Sequence, residues 1–183
     1  MLLLLCGSVS GCFSQEGLPA WRYDEAERLV DDGARALREG RLTEALTAFE
    51  LAREYAPVAA ALDGKGCVAF LKGNLAEAEE LFREAYESDA TYDEALGNLA
   101  LVLDVAGRDE EALELYRTLL EQHPEAARQR NNRAALAFDL GHEPSEVEGE
   151  FAKAALALVG EISEKNLERV RGSRRGIHGK ASD

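Results

Sequence analysis

Three cysteines and three histidines are the side chains of this sequence best suited to covalent or metal chemistry. Cys6 and Cys12 lie near the N-terminus and Cys67 stands alone, so no CxxC pair is available for a metal or redox centre. With Cys6 and Cys12 set aside for the segment they belong to, Cys67 has no disulfide partner and reads as a small buried hydrophobe. His123, His142 and His178 fall in separate segments, and neither HExxH nor a serine nucleophile elbow is present. His123 precedes Pro124 at a helix end, where a surface imidazole suits the helix dipole. Asp63-Gly64-Lys65-Gly66 joins Gly to Lys but lacks the length of a phosphate-binding loop. Carboxylate pairs such as Glu110-Glu111 have the placement of a solvated helix face. These patterns nominate no catalytic residue, no metal site and no cofactor. The sequence therefore predicts a protein that is not an enzyme and takes no small-molecule substrate.

Composition narrows the partners. The 183 residues carry a formal charge of −14 and are 46% apolar. Such an acidic balance argues against nucleic acid, whose phosphates would repel it. The charge reverses near the end, where Arg169, Arg171, Arg174, Arg175 and Lys180 form a basic stretch. That stretch reads as a solvated tail. Its second reading is a weak contact with anionic headgroups, about 1 kcal/mol for each basic residue.

The first residues read as a targeting segment. Leu2 to Leu5 are an apolar run followed by small residues, far short of the roughly 20 apolar residues that span a bilayer. Val9-Ser10-Gly11-Cys12 resembles the bacterial lipoprotein box. The resemblance implies a signal peptide over residues 1–11, cleavage before Cys12 and a diacylglycerol on its thiol. Residues 12–22, with Gly17 and Pro19 and no helical period, then form a tether. Phe13 in place of the Asp retention signal implies the outer membrane, with the domain facing the periplasm. Without the box, the same chain reads as cytoplasmic.

The elements behind these residues show in a repeat. Gly40, Gly73, Gly107 and Gly141 are spaced by 33, 34 and 34 residues, and Gly33, Gly66, Ala100 and Ala134 keep the same spacing. Ala45, Ala78 and Ala112 form another column, and Phe49, Phe82, Tyr116 and Phe151 a further one. The register resembles the tetratricopeptide repeat, with Pro57 and Pro124 at the closing position. The family implies an all-α, right-handed superhelix of stacked antiparallel helical hairpins. The repeats fall at 26–58, 59–92, 93–126 and 127–160 of a domain spanning 23–160. The fourth has one extra residue in its Gly141–Val147 turn. Its helix-one column, elsewhere Leu29, Leu62 and Leu96, holds Arg130. Small residues are expected where helices cross, Gly where the turn needs a left-handed backbone, and aromatic rings between hairpins. Thr91 and Glu94 read as a capping box opening the third repeat. Residues 161–171, with Ile162, Leu167 and Val170, are expected to form a capping helix. Residues 172–183 have a composition that favours disorder.

The family also implies a ligand groove lined by the first helix of each hairpin. Asn98 and Asn132 share one groove column, where an amide both donates and accepts and so suits the backbone of an extended peptide. Neighbouring columns hold Val30, Ala34, Asp63, Cys67, Phe70, Leu101, Asp104 and Val105. The family's clamp for a C-terminal carboxylate needs Lys and Arg, but Cys67, Leu71, Leu101 and Val105 stand there. An apolar helix, or an extended apolar peptide with a basic residue, fits better. The resemblance extends to pilus-assembly and pilotin-like lipoproteins and implies a lipid-anchored scaffold for protein partners in a bacterial envelope machine. The alternatives are an adaptor for peptidoglycan enzymes or proteases, and a cytoplasmic secretion chaperone.

Overall fold

Four glycines punctuate the chain at regular intervals. Gly40, Gly73, Gly107 and Gly141 have φ of +75°, +82°, +74° and +87°, a region where a Cβ is strained. Each follows a helix and reverses the backbone into the next. In the computed structural model, which describes residues 17–157, this gives eight α-helices. They are α1 (Ala20–Arg38), α2 (Leu42–Tyr55), α3 (Ala59–Leu71), α4 (Leu75–Ser88), α5 (Asp93–Val105), α6 (Asp109–Gln122), α7 (Ala127–Asp139) and α8 (Pro144–Ala157). The predicted all-α hairpin repeat is therefore present. The signal segment with Cys12, the capping helix at 161–171 and the basic tail lie outside the described residues.

The helices pair as α1–α2, α3–α4, α5–α6 and α7–α8, and each hairpin packs on the next. Odd-numbered helices also touch one another, α1 on α3, α3 on α5 and α5 on α7, whereas even-numbered helices do not. A stack that converges on one side and splays on the other is curved. Its concave face is lined by α1, α3, α5 and α7.

Aromatic rings against small residues hold the stack together. Phe49, Phe82, Tyr116 and Phe151 are at most 2% exposed. The Phe49 ring occupies the place where a Cβ on Gly33 or on Gly64 would sit, at 2.7 and 2.3 Å. One ring thus locks α2 to its own α1 and to the α3 of the following hairpin. Phe82 stands in the same relation to Gly66, at 2.6 Å from its would-be Cβ. Burying such a ring contributes on the order of 3 kcal/mol.

Several sequence expectations are refined. Helix α1 begins at Ala20, inside the stretch read as a tether. The Arg22 guanidinium donates to the Tyr55 carbonyl at 2.7 Å, and Trp21 meets the Tyr55 ring edge-on at 6.2 Å. These contacts tie the first turn of α1 to the end of α2. The extra residue of the fourth repeat is seen directly, since α8 starts three residues after its Gly and the other second helices start two after theirs. Arg130 reaches Glu150 on α8 at 3.1 Å, and Arg133 reaches the same carboxylate at 2.8 Å, so an ion pair replaces the leucine of the other repeats. The capping box at Thr91 does not form. The Asp89 carboxylate accepts both the Thr91 hydroxyl, at 2.6 Å, and the Thr91 amide, at 2.9 Å, and α5 starts without a side-chain cap. His123 does more than sit on a helix dipole, because its Nε2 lies 2.7 Å from Asp93 at the start of α5.

Candidate functional site

The concave face is organised around a buried carboxylate. Asp63 lies in the middle of α3 and is 8% exposed. Its Oδ1 accepts the Asn98 amide of α5 at 2.8 Å, and its Oδ2 accepts the Tyr92 hydroxyl at 3.4 Å. The Cys67 thiol, one turn along α3, lies 4.0 Å from Oδ2 and 3.8 Å from the Asn98 amide nitrogen. Among the described residues Asp63 has no cationic partner. Burial disfavours its charged form, the Asn98 hydrogen bond partly offsets this, and the nearby Glu94 adds repulsion, so its pKa rises to about 6. The same burial, with Asp63 alongside, pushes the Cys67 thiol up to about 12. Cys67 therefore stays a thiol at neutral pH and is a poor nucleophile. Burial also raises the Tyr92 phenol, so its hydroxyl remains a donor.

Beside this cluster the groove opens into an apolar pocket of ≈ 160 Å³, lined by Cys67, Phe70, Leu71, Asn98 and Leu101 with Leu37 and Phe82. Leu71 and Val105, 55% and 54% exposed, extend the apolar strip toward the glycine turns. A second cleft lies at the opposite rim, where Tyr23, Glu27, Val30 and Asp31 of α1 face Asp89 and Tyr92.

The predicted groove residues separate into groups on this surface. Asp63, Cys67, Phe70, Asn98 and Leu101 come together. Val30 lies in the second cleft, and Ala34 is half-buried on α1. Asp104 is half-buried near the ends of α5 and α7. Its pKa is raised first by burial and then by Asp109 and Asp139. Asn132 lies apart, beside the buried hydroxyl of Tyr116 but outside hydrogen-bond geometry. The Asn98 amide nitrogen is directed into the fold, at Asp63 and Cys67, and Asn98 also lines the apolar pocket.

Sequence reasoning missed Leu37 and Tyr92. Leu37 carried a usable signal, since it precedes Phe70 by one repeat length. Tyr92 did not, because it lies in the connection before α5, outside the first-helix columns. Asp63-Gly64-Lys65-Gly66 lies within α3, so its amides serve the helix and form no phosphate cradle. Gly64 is needed because the Phe49 ring occupies its side-chain space.

Comparison with known proteins agrees with this architecture. Among solved structures, Pseudomonas aeruginosa PilF aligns with a TM-score of 0.75 at 20% identity, over 85% of this chain and 72% of that one. A thermophilic TPR protein of Thermus thermophilus aligns at 0.71 and 20% identity, over 81% and 82%. YrrB, described as a TPR protein with an unusual peptide-binding site, aligns at 0.58 and 19% identity, over 83% and 79%. At these identities the likeness concerns the fold alone, a tetratricopeptide-type stack of helical hairpins. No curated protein matches the sequence. The family model described as the coatomer epsilon subunit matches residues 35–140, more than half of the chain, from the end of α1 to the end of α7. The chain belongs to the coatomer epsilon subunit family, a family of tetratricopeptide-like helical hairpins.

Proposed function

We propose that this protein is a lipid-anchored scaffold of a bacterial envelope assembly, and that it holds an apolar segment of a protein partner in its concave groove. The observation that carries the groove reading is the apolar pocket beside Asp63 and Asn98, continued by the exposed Leu71 and Val105. Exposed apolar residues continuous with a concave pocket are the usual mark of a recognition surface. The absence of a basic clamp favours a partner's internal segment, helical or extended, over a free C-terminal carboxylate. In this reading Asn98, which lines the pocket, uses its carbonyl oxygen to accept a hydrogen bond from that segment.

The anchoring reading rests on Val9-Ser10-Gly11-Cys12, which puts a diacylglycerol on Cys12 and the domain in the periplasm. The likeness to Pseudomonas aeruginosa PilF adds an analogy of fold for a role in pilus or secretion assembly. The chain contributes no chemistry of its own in this reading, and neither a cofactor nor nucleic acid takes part.

Crosslinking in cells expressing the native chain or Leu71→Glu/Val105→Glu, with mass spectrometry of the captured proteins, tests the groove. Both positions are exposed, so the variant is expected to fold. An envelope component captured by the native chain and lost from the variant is the expected result. Equal capture by both removes the groove from the reading. Capture of cytoplasmic proteins alone, together with no palmitate label lost in Cys12→Ser, replaces the anchored scaffold with a secretion chaperone.

A further inference from the structure

The negative charge of the described residues is unevenly compensated. Several carboxylates of the second helices are tied to arginines: Glu79 and Glu111 to Arg108, Glu114 and Glu121 to Arg117, and Glu150 to Arg130 and Arg133. A group at the rim of the concave face is not. Among the described residues Glu27, Asp31, Asp63, Asp89 and Glu94 take part in no ion pair, although Asp63 and Asp89 accept hydrogen bonds. Glu27 and Asp31 stand one turn apart on α1, a like-charge spacing that weakens a helix. With Tyr23, Val30, Asp89 and Tyr92 they line a cleft of ≈ 570 Å³ at the edge where the first helices begin and the second helices end. Arg128 on α7 is a cation near this face, and it stands toward the Cys67 end. A face that tolerates this repulsion, with aromatic rings beside the carboxylates, has the chemistry to hold guanidinium groups.

The same chain supplies them. Between Arg169 and Lys180 it carries five basic residues and no carboxylate, with Val170 and Ile177 among them. The alternation of antiparallel helices places the end of α8, Ala157, on the same edge as Asp89 at the end of α4, two hairpins away. At ~10 Å between packed neighbours, the cleft lies about 20–30 Å from that point. The 11 residues 158–168 that precede the basic segment cover about 17 Å at the helical rise of 1.5 Å per residue and about 36 Å when extended, so the span is within reach of an extended link. Length, edge and charge therefore agree.

We propose that the arginine-rich segment Arg169–Lys180 docks in cis on the acidic rim of this chain's own concave face, over Glu27, Asp31 and Asp89, and that a partner must displace it. The inference rests on the concave face being the binding face. It assigns that face a built-in competitor and a preference for cationic segments.

Amide NMR spectra of the full chain, compared with those of the full chain carrying Arg169→Glu, Arg171→Glu, Arg174→Glu and Arg175→Glu, test this without any partner. The expected result is a set of shift differences on Glu27, Asp31, Asp89 and Tyr92 as well as in the tail. They should not depend on protein concentration and should be lost in about 1 M salt, where the screening length falls to ~3 Å. Differences confined to the tail, or lying on the second helices, overturn the proposal. So do differences that grow with concentration, since they mean docking between copies. Failure here leaves the partner-binding reading standing, because that reading is tested by capture in cells.

Discussion

Asp63→Asn isolates the energetic consequence of burying a carboxylate without a cation. The folded pKa of about 6 stands above the ordinary 3.8. A shift of about two units corresponds to about 3 kcal/mol between the two protonation states. The sign follows from linkage. A raised folded pKa means that the native state holds its proton more tightly than the unfolded chain. The resulting stability is complete below pH 3.8 and is lost as pH rises through about 6. The wild type at pH 7.5 thus carries a destabilised, charged Asp63. Asparagine stays neutral throughout and still offers an oxygen to the Asn98 amide. The variant should match the wild type at pH 4 and exceed it by up to about 3 kcal/mol at pH 7.5. Urea unfolding followed by helical circular dichroism at pH 4, 5, 6 and 7.5 measures this. The difference curve matters more than either curve alone. Glu79, Glu111, Glu114 and Glu150 have lowered values, which slope the opposite way but cancel between the two proteins. A difference that stays flat from pH 4 to 7.5 refutes the reasoning. It would mean that Asp63 is hydrated or paired in solution.

Other consequences are open to measurement. Gly64→Ala places a Cβ 2.3 Å from the Phe49 ring and should lower stability by about 1–3 kcal/mol, read as a fall in urea midpoint. Phe49→Ala should lower it by about 3–5 kcal/mol, because the ring bridges two hairpins. Gly73→Ala forces a Cβ onto φ +82° and should cost about 1–2 kcal/mol, while a Gly17→Ala control leaves the midpoint unchanged. The Cys67 thiol should react with an aromatic disulfide reagent at pH 8 far more slowly in the folded protein than in urea. Equal rates would place it in solvent.

Periodicity in the sequence was enough to determine the hairpins. A glycine that must enter a positive φ, an alanine or glycine where helices cross, and a ring every 33 or 34 residues are local requirements, and each leaves a column. The groove columns were legible in part through the resemblance that this register carries: it implied a groove face holding Asp63, Cys67, Phe70, Asn98 and Leu101, and these residues come together. The sequence did not show which of these residues are consumed by the fold. Asn98 reads as a ligand-facing amide until α5 packs on α3 and turns its donors onto Asp63. Thr91 reads as a cap until Asp89 takes its hydroxyl. Arg130 reads as a broken column until Glu150 arrives from α8. For Asn98 and Arg130 the partner comes from another helix, 35 and 20 residues away, so no local pattern records it, whereas Asp89 stands two residues before Thr91 and competes for it locally. Burial decides the rest. A carboxylate on a helix face is ordinary in sequence, and only the packing of Tyr92 and Asn98 around Asp63 withdraws it from water and raises its proton affinity.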